Sequence, residues 1–142
     1  MASPDPPQSL GLDTSVVIRL LTGEQPAQAR RALALLEETQ AAGGRAIVSD
    51  LVVSEAYFAL HAHYGVPKRE AVLALLEMLQ SGLVFPDSDG CAVDALRAAA
   101  RGPARPGLVD RLIHAQYLAR ARRPVSFEKA FRKLKDALVL GV

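Results

Sequence analysis

The chain reads as an α/β domain built on a mainly parallel sheet of four to five strands. Three observations predict this class. Short apolar runs alternate with helix-length amphipathic segments from end to end, the order that strand–helix–strand units produce. Glycine and proline breakers such as Gly43-Gly44 and Gly65-Val66-Pro67 punctuate the alternation. A carboxylate, Asp13, directly follows the first strand, at the kind of strand end where open α/β sheets build their sites.

The first strand covers Gln8–Leu12 and runs through Asp13-Thr14-Ser15 into a short helix ending at Leu21. Gly23-Glu24-Gln25 breaks that helix. Pro26 suits the first turn of the next, where its missing N–H costs nothing. This second helix extends to about Ala42, with Ala29, Leu33 and Leu36 on one face and Glu37-Glu38 on the other, and Gly43-Gly44 ends it. Arg45–Val48 is the second strand, after which Ser49 or Asp50 caps a helix through Tyr64. Gly65-Val66-Pro67 turns into another helix, about Lys68–Gln80, and Leu83–Phe85 forms a third strand closed by Pro86. Asp89 is expected to cap a helix over Cys91–Ala100, and Arg101–Gly107 is a loop. A helix from about Leu108 to Ala121, the strand Pro124–Ser126, a short helix near Lys129–Leu134 and a last strand, Ala137–Leu140, complete the order. No repeat or long linker divides it, so residues 1–142 are read as one domain, with the polar, proline-rich residues 1–7 as a disordered tail.

Composition narrows the class. Half of the 142 residues are hydrophobic and 23% are charged, as in globular domains with a true core. No apolar run approaches the roughly 20 residues of a membrane helix, and the N-terminus has no charged-then-apolar signal pattern. The expectation is a cytoplasmic protein with no membrane association. Cys91 is the only cysteine, which excludes an intrachain disulfide and a cysteine zinc site. The net charge of +2 hides an asymmetry: residues 1–96 carry 6 Lys/Arg against 12 Asp/Glu, residues 97–142 carry 11 against 3. Such a division suits a polyanion or an acidic partner, and equally an arginine-rich solvated surface.

Four acids stand among apolar neighbours: Asp13, Glu55, Asp110 and Glu128. An apolar face rejects unpaired charge, so acids there call for a partner, and a divalent cation is the economical one. Asp13 also suits helix capping. Glu55 has Leu51, Val52, Phe58 and Ala59 at three and four residues' distance, which places it along the buried stripe of its helix. Asp110 is similar, beside Leu108, Val109, Leu112 and Ile113, with Arg111 facing elsewhere. Glu128 lies in Ser126-Phe127-Glu128-Lys129, where Ser126 can cap and an acid favours the helix dipole, so a local role is open beside the chemical one. Carboxylates from separate elements at one sheet edge make an oxygen cage for a hard cation, Mg²⁺ or Mn²⁺. Such ions activate water and orient a phosphodiester, while a basic segment holds the nucleic-acid backbone. Thr14, Ser15, Ser126 and Arg111 flank these acids as candidate substrate contacts.

The remaining chemistry-bearing residues read more blandly. His61 and His63 are two apart on a helix and cannot chelate together. His114 shares the face of Asp110, with a packing role favoured. Cys91 reads as a small buried residue, and Tyr57 and Phe58 as core or dimer contacts rather than a base-stacking platform. Phosphate loops, dinucleotide glycine fingerprints and nucleophile elbows are missing from the sequence, and Ser15 occupies the place of the second acid of an Asp-x-Asp phosphatase.

Leu12-Asp13-Thr14-Ser15-Val16-Val17-Ile18-Arg19-Leu20-Leu21-Thr22-Gly23 resembles the opening motif of PIN-domain ribonucleases, particularly VapC-type toxins. Tyr64-Gly65-Val66-Pro67-Lys68-Arg69-Glu70 resembles that family's mid-chain turn, Val53-Ser54-Glu55-Ala56 its glutamate helix, Gly107–Ile113 its third acidic motif and Pro124–Phe131 its final strand-turn segment. The likeness spans about Leu10 to Leu140. It implies a PIN-like three-layer α/β/α fold, metal-dependent RNA endonuclease activity, a homodimer, and neutralisation by a cognate antitoxin. Asp13, Glu55 and Asp110 take the positions of the family's metal-binding acids, with Glu128 as a fourth catalytic acid. Ser15 stands where asparagine is frequent and Glu128 where aspartate is usual, one methylene longer. A catalytically weakened module that binds RNA or protein is therefore the alternative, and a nuclease acting on DNA a third reading, since phosphate contacts do not read the sugar.

Overall fold

A computed structural model describes residues 8–141. The expected tail, residues 1–7, lies outside the described residues. Strand β1 (Ser9–Gly11) is followed by helices α1 (Thr14–Thr22) and α2 (Pro26–Ala41), strand β2 (Arg45–Val48), helices α3 (Asp50–Ala62) and α4 (Lys68–Leu79), and strand β3 (Val84–Pro86). Helices α5 (Ala92–Arg101) and α6 (Leu108–Ala119), strand β4 (Val125–Ser126), a 3-10 turn (Lys129–Lys133) and strand β5 (Leu138–Val139) follow. Every ladder is parallel. β2 lies between β1 and β3, with Leu10 opposite Ala46 and Ala46 opposite Val84.

The sheet differs from expectation in one respect. All five strands form, but three make the main sheet and β4 pairs only with β5, Val125 opposite Leu138. β4 is two residues long and follows Pro124, which has no N–H to extend a ladder. The remainder is a parallel α/β architecture in which two helices connect each successive pair of sheet strands.

Alternation along β2 sets the core: Ala46 and Val48 are buried while Arg45 is exposed. Against them pack Val17 and Ile18 of α1, Leu36 of α2, Val53, Ala56 and Leu60 of α3, and Val72 and Leu75 of α4. Leu96 of α5 and Leu108 and Leu112 of α6 complete the same cluster. Among the described residues no helix is long and apolar enough to cross a membrane.

Of two linked helix starts, α3 keeps one of the two caps the sequence offers and α5 is built differently from the sequence reading. Ser49 caps α3, accepting from the Val52 N–H at 3.3 Å, which leaves Asp50 free for another task. Asp50 is buried and accepts from the N–H groups of Cys91 (2.7 Å) and Ala92 (3.1 Å) and from the Gln116 side-chain amide (3.1 Å). The start of α5 is thus capped across space by α3, with Cys91 rather than Asp89 at the cap position. A tertiary partner outcompeted the local one. Cys91 itself is half-buried, and burial followed by the Asp50 charge pushes its thiol up.

The C-terminal segment is fastened by side chains that reach carbonyl oxygens. Arg111 Nε donates to Pro106 O (3.0 Å), Lys133 Nζ to Arg105 O (3.3 Å) and Arg123 Nε to Asp136 O (3.0 Å). His114 Nε2 lies 2.7 Å from Lys135 O, a packing role for that histidine.

Candidate active site

Asp13 owes its place to the end of the first ladder. The Leu12 N–H donates to Ile47 O at 2.9 Å, and one residue later the chain turns into α1 with Asp13 at the cap. One Asp13 carboxylate oxygen accepts from the Thr14 N–H at 2.6 Å, and the other from the Ser15 hydroxyl at 3.2 Å. Thr14 then donates its own hydroxyl to Glu55 Oε2 at 3.0 Å. A single residue therefore orients two carboxylates from different elements, holding Asp13 by its backbone and Glu55 by its side chain.

Asp110 and Glu128 form a second pair. Helix α6 starts after Gly107 with no side-chain cap, so an acid in its first turn complements the positive helix end. Glu128 stands at the cap position of the 3-10 turn, its N–H donating to the Ser126 hydroxyl oxygen at 2.9 Å. Burial holds the Asp110 carboxyl above its ordinary range, and the negative charge of Glu128 pushes it further the same way. Both residues line a cleft of about 610 Å³. Phe58 and Val109 line this cleft and also one of about 460 Å³ that contains Thr14 and Glu55, so Glu55 and the Asp110–Glu128 pair line adjoining clefts with shared apolar walls.

Glu55 corrects the sequence reading. It is exposed, as are its apolar neighbours Leu51 (69%) and Phe58 (63%). The buried positions of α3 are Asp50, Val53, Ala56 and Leu60. Because α3 is apolar on nearly every side, neighbours at three and four residues do not tell the inward face from the outward one. Val109 and Ile113 beside Asp110 are likewise exposed, so these acids emerge from an apolar surface instead of entering the core. Phe58 is not core either, and meets His63 edge-on with ring centroids 6.2 Å apart.

None of the four acids is ion-paired with another described residue. Among the described residues the ion pairs are Arg31–Glu38 and Arg97–Asp94. In donor type the set fits a hard divalent cation, which prefers oxygen ligands. The expected single cage is instead two pairs: among the described residues no three acids, histidines or cysteines are gathered closely enough to enclose an ion. The reason is local, since the donors of Thr14 commit Asp13 and Glu55 to one another while Asp110 and Glu128 line the neighbouring cleft.

Of the flanking candidates, Thr14 and Ser15 hold acids and Ser126 holds the backbone of Glu128. Arg111 is turned to the 102–106 loop, bonded to Pro106 O and so close to Gly102 that a Cβ there would lie 2.5 Å from its guanidinium. Sequence reasoning missed three residues that share the Asp110–Glu128 cleft: His61, Lys68 and Arg105. Arg105 sits in a segment legible only as a connector, and no periodic pattern announces a loop cation.

The family model described as PIN domain matches residues 11–137 of the chain. No curated protein and no solved structure matches it significantly.

Proposed function

Since the chain belongs to the PIN-domain family, whose members are generally nucleases that use divalent metal ions, we propose that it is a metal-dependent endoribonuclease acting as the toxin of a toxin–antitoxin pair. It works as a homodimer and is held inactive by a cognate antitoxin. The observation that carries the reading is the acid arrangement: four carboxylates from four elements, none ion-paired among the described residues, with Asp110 raised by burial and by the adjacent charge of Glu128.

When bound, Mg²⁺ or Mn²⁺ supplies Lewis-acid charge that makes water a nucleophile at neutral pH and neutralises the leaving oxygen. Asp13, Glu55 and Asp110 would hold it, with Glu128 assisting, which requires the two acid pairs to draw together when the ion is bound. Thr14 presents Asp13 and Glu55 in fixed orientation, so within that pair little reorganisation is needed on loading. Attack in line on phosphorus leaves a 3′-hydroxyl and a 5′-phosphate, and the 2′-hydroxyl takes no part.

The test is cleavage of end-labelled RNA, and of a DNA strand of the same sequence, by purified protein with Mn²⁺ and with EDTA. Cutting of the RNA is expected only with metal. Asp110→Asn lowers it about a thousandfold, the scale of several kcal/mol of lost charge stabilisation. Cyclic phosphate ends would overturn the mechanism, and no metal-dependent cutting across several RNAs would overturn the activity.

A further inference from the structure

The 610 Å³ cleft holds more than its two acids. Lys68 and Arg105 line it together with Asp110, Glu128, His61 and Phe58. Two cations and two carboxylates thus share one cavity, yet among the described residues neither cation is ion-paired. Exposed ion pairs gain little against side-chain entropy, and here the cations and carboxylates leave the cavity between them open. A volume within the roughly 300–1,000 Å³ of small-ligand pockets leaves room for one nucleotide between the walls.

The cations are also held in ways that suit an anion. Lys68 is the first residue of α4, where a positive side chain opposes the helix dipole and Pro67 provides no side-chain cap. An anion in the cleft relieves both. The backbone carrying Arg105 is pinned from two sides, by Lys133 on its own carbonyl and by Arg111 on that of Pro106. The loop backbone therefore presents Arg105 already ordered, leaving only its side chain to be immobilised at binding. Beside them Phe58 exposes 63% of its surface, a flat apolar ring on the wall shared with the cleft that contains Glu55. A buried apolar partner would not choose a cavity lined by charges of both signs. A nucleotide, with an anionic phosphate and an aromatic base, matches it.

We propose that Lys68 and Arg105 grip the backbone phosphate next to the one cleaved and that Phe58, exposed on the cleft wall contrary to its sequence reading as a core or dimer contact, stacks the adjoining base, forming a substrate subsite for single-stranded RNA. The proposal rests on the ribonuclease reading and adds the residues that select a flexible single strand over a duplex, in which stacked bases cannot reach Phe58.

Binding of a fluorescein-labelled, mixed-sequence single-stranded RNA of about 12 nucleotides tests it, within the length range that single-strand binding surfaces contact. Titrations in EDTA over a salt series leave every strand uncut. Lys68→Ala and Arg105→Ala each lower the slope of log affinity against log salt by about 0.7, one phosphate contact apiece. Phe58→Ala weakens binding by about fivefold to a hundredfold with the slope unchanged, and Phe58→Tyr restores it. Circular dichroism melting of each variant checks that it is folded. Wild type that cuts RNA while all three variants bind as it does overturns the subsite alone. Wild type that neither binds nor cuts RNA overturns the ribonuclease reading and the subsite together. Unchanged RNA affinity in Phe58→Ala accompanied by a change in sedimentation assigns Phe58 to a protein contact, which also overturns the subsite.

Discussion

The two acid pairs differ in how their charge is accommodated. Asp13 and Glu55 are provided with donors: a backbone N–H and two hydroxyls satisfy three of their oxygens. Asp110 has the opposite surroundings, partly desolvated and facing the like charge of Glu128. The first pair is a finished piece of structure that a ligand can use. The second is destabilised as it stands, and what it lacks is a positive charge paired with it. The comparison teaches that orientation and electrostatic demand are supplied by separate halves of one site.

The sharpest way to break the comparison is to supply the cation. Mn²⁺ at a hundredfold excess over its dissociation constant is expected to stabilise the wild type by about 2.7 kcal/mol, read as a rise in melting temperature. The doubly neutral variant Asp110→Asn/Glu128→Gln loses most of that rise. A full rise in the double variant would mean that the ion resides wholly with Asp13 and Glu55.

Next in size is the tie within the first pair. Thr14→Ala removes the hydroxyl from Glu55 and leaves the N–H on Asp13, so cleavage falls about tenfold, the low end for a bond to a charged group. Thr14→Ser keeps the hydroxyl and stays near wild type. Equal loss in both variants would show that the methyl group, not the bond, matters.

The smallest effect is one of pH. Because the folded-state pKa of Asp110 is raised, the folded protein keeps that proton to higher pH than the unfolded chain. Below the ordinary carboxylate value wild type and Asp110→Asn melt alike. As pH rises through that value and on through the raised one, wild type loses stability that the variant keeps. Metal-free Asp110→Asn therefore melts higher than wild type at neutral pH, measured by calorimetry in EDTA. A lower melting temperature would mean that Asp110 makes a stabilising contact outweighing its repulsion.

Much of the fold was legible because its signals are local. β2 follows from the β-branched pair Ile47-Val48 after Gly43-Gly44, and α2 begins at Pro26 for the reason proline is tolerated there. What stayed illegible is tertiary. No local pattern connects Asp50 with an N–H forty-one residues away, although the doublet Ser49-Asp50 offered one more cap than α3 needs. The four acids were legible as types in sequence order, whereas their division into two pairs depends on the Thr14 hydroxyl reaching Glu55. Lys68 was visible only as a helix start and Arg105 only as part of a basic loop, because a cavity wall assembled from such pieces has no periodicity.

The carbonyl-bound cations of the C-terminal segment change how mutagenesis there is to be interpreted. Arg111, Arg123 and Lys133 act as struts whose guanidinium or ammonium groups replace missing backbone donors. An alanine scan that treats residues 97–142 as one electropositive surface would confuse collapse of the loop behind Arg105 with loss of grip on a polyanion. Lysine-to-glutamine and arginine-to-glutamine exchanges, which delete charge but retain an N–H donor, separate architecture from affinity at these positions.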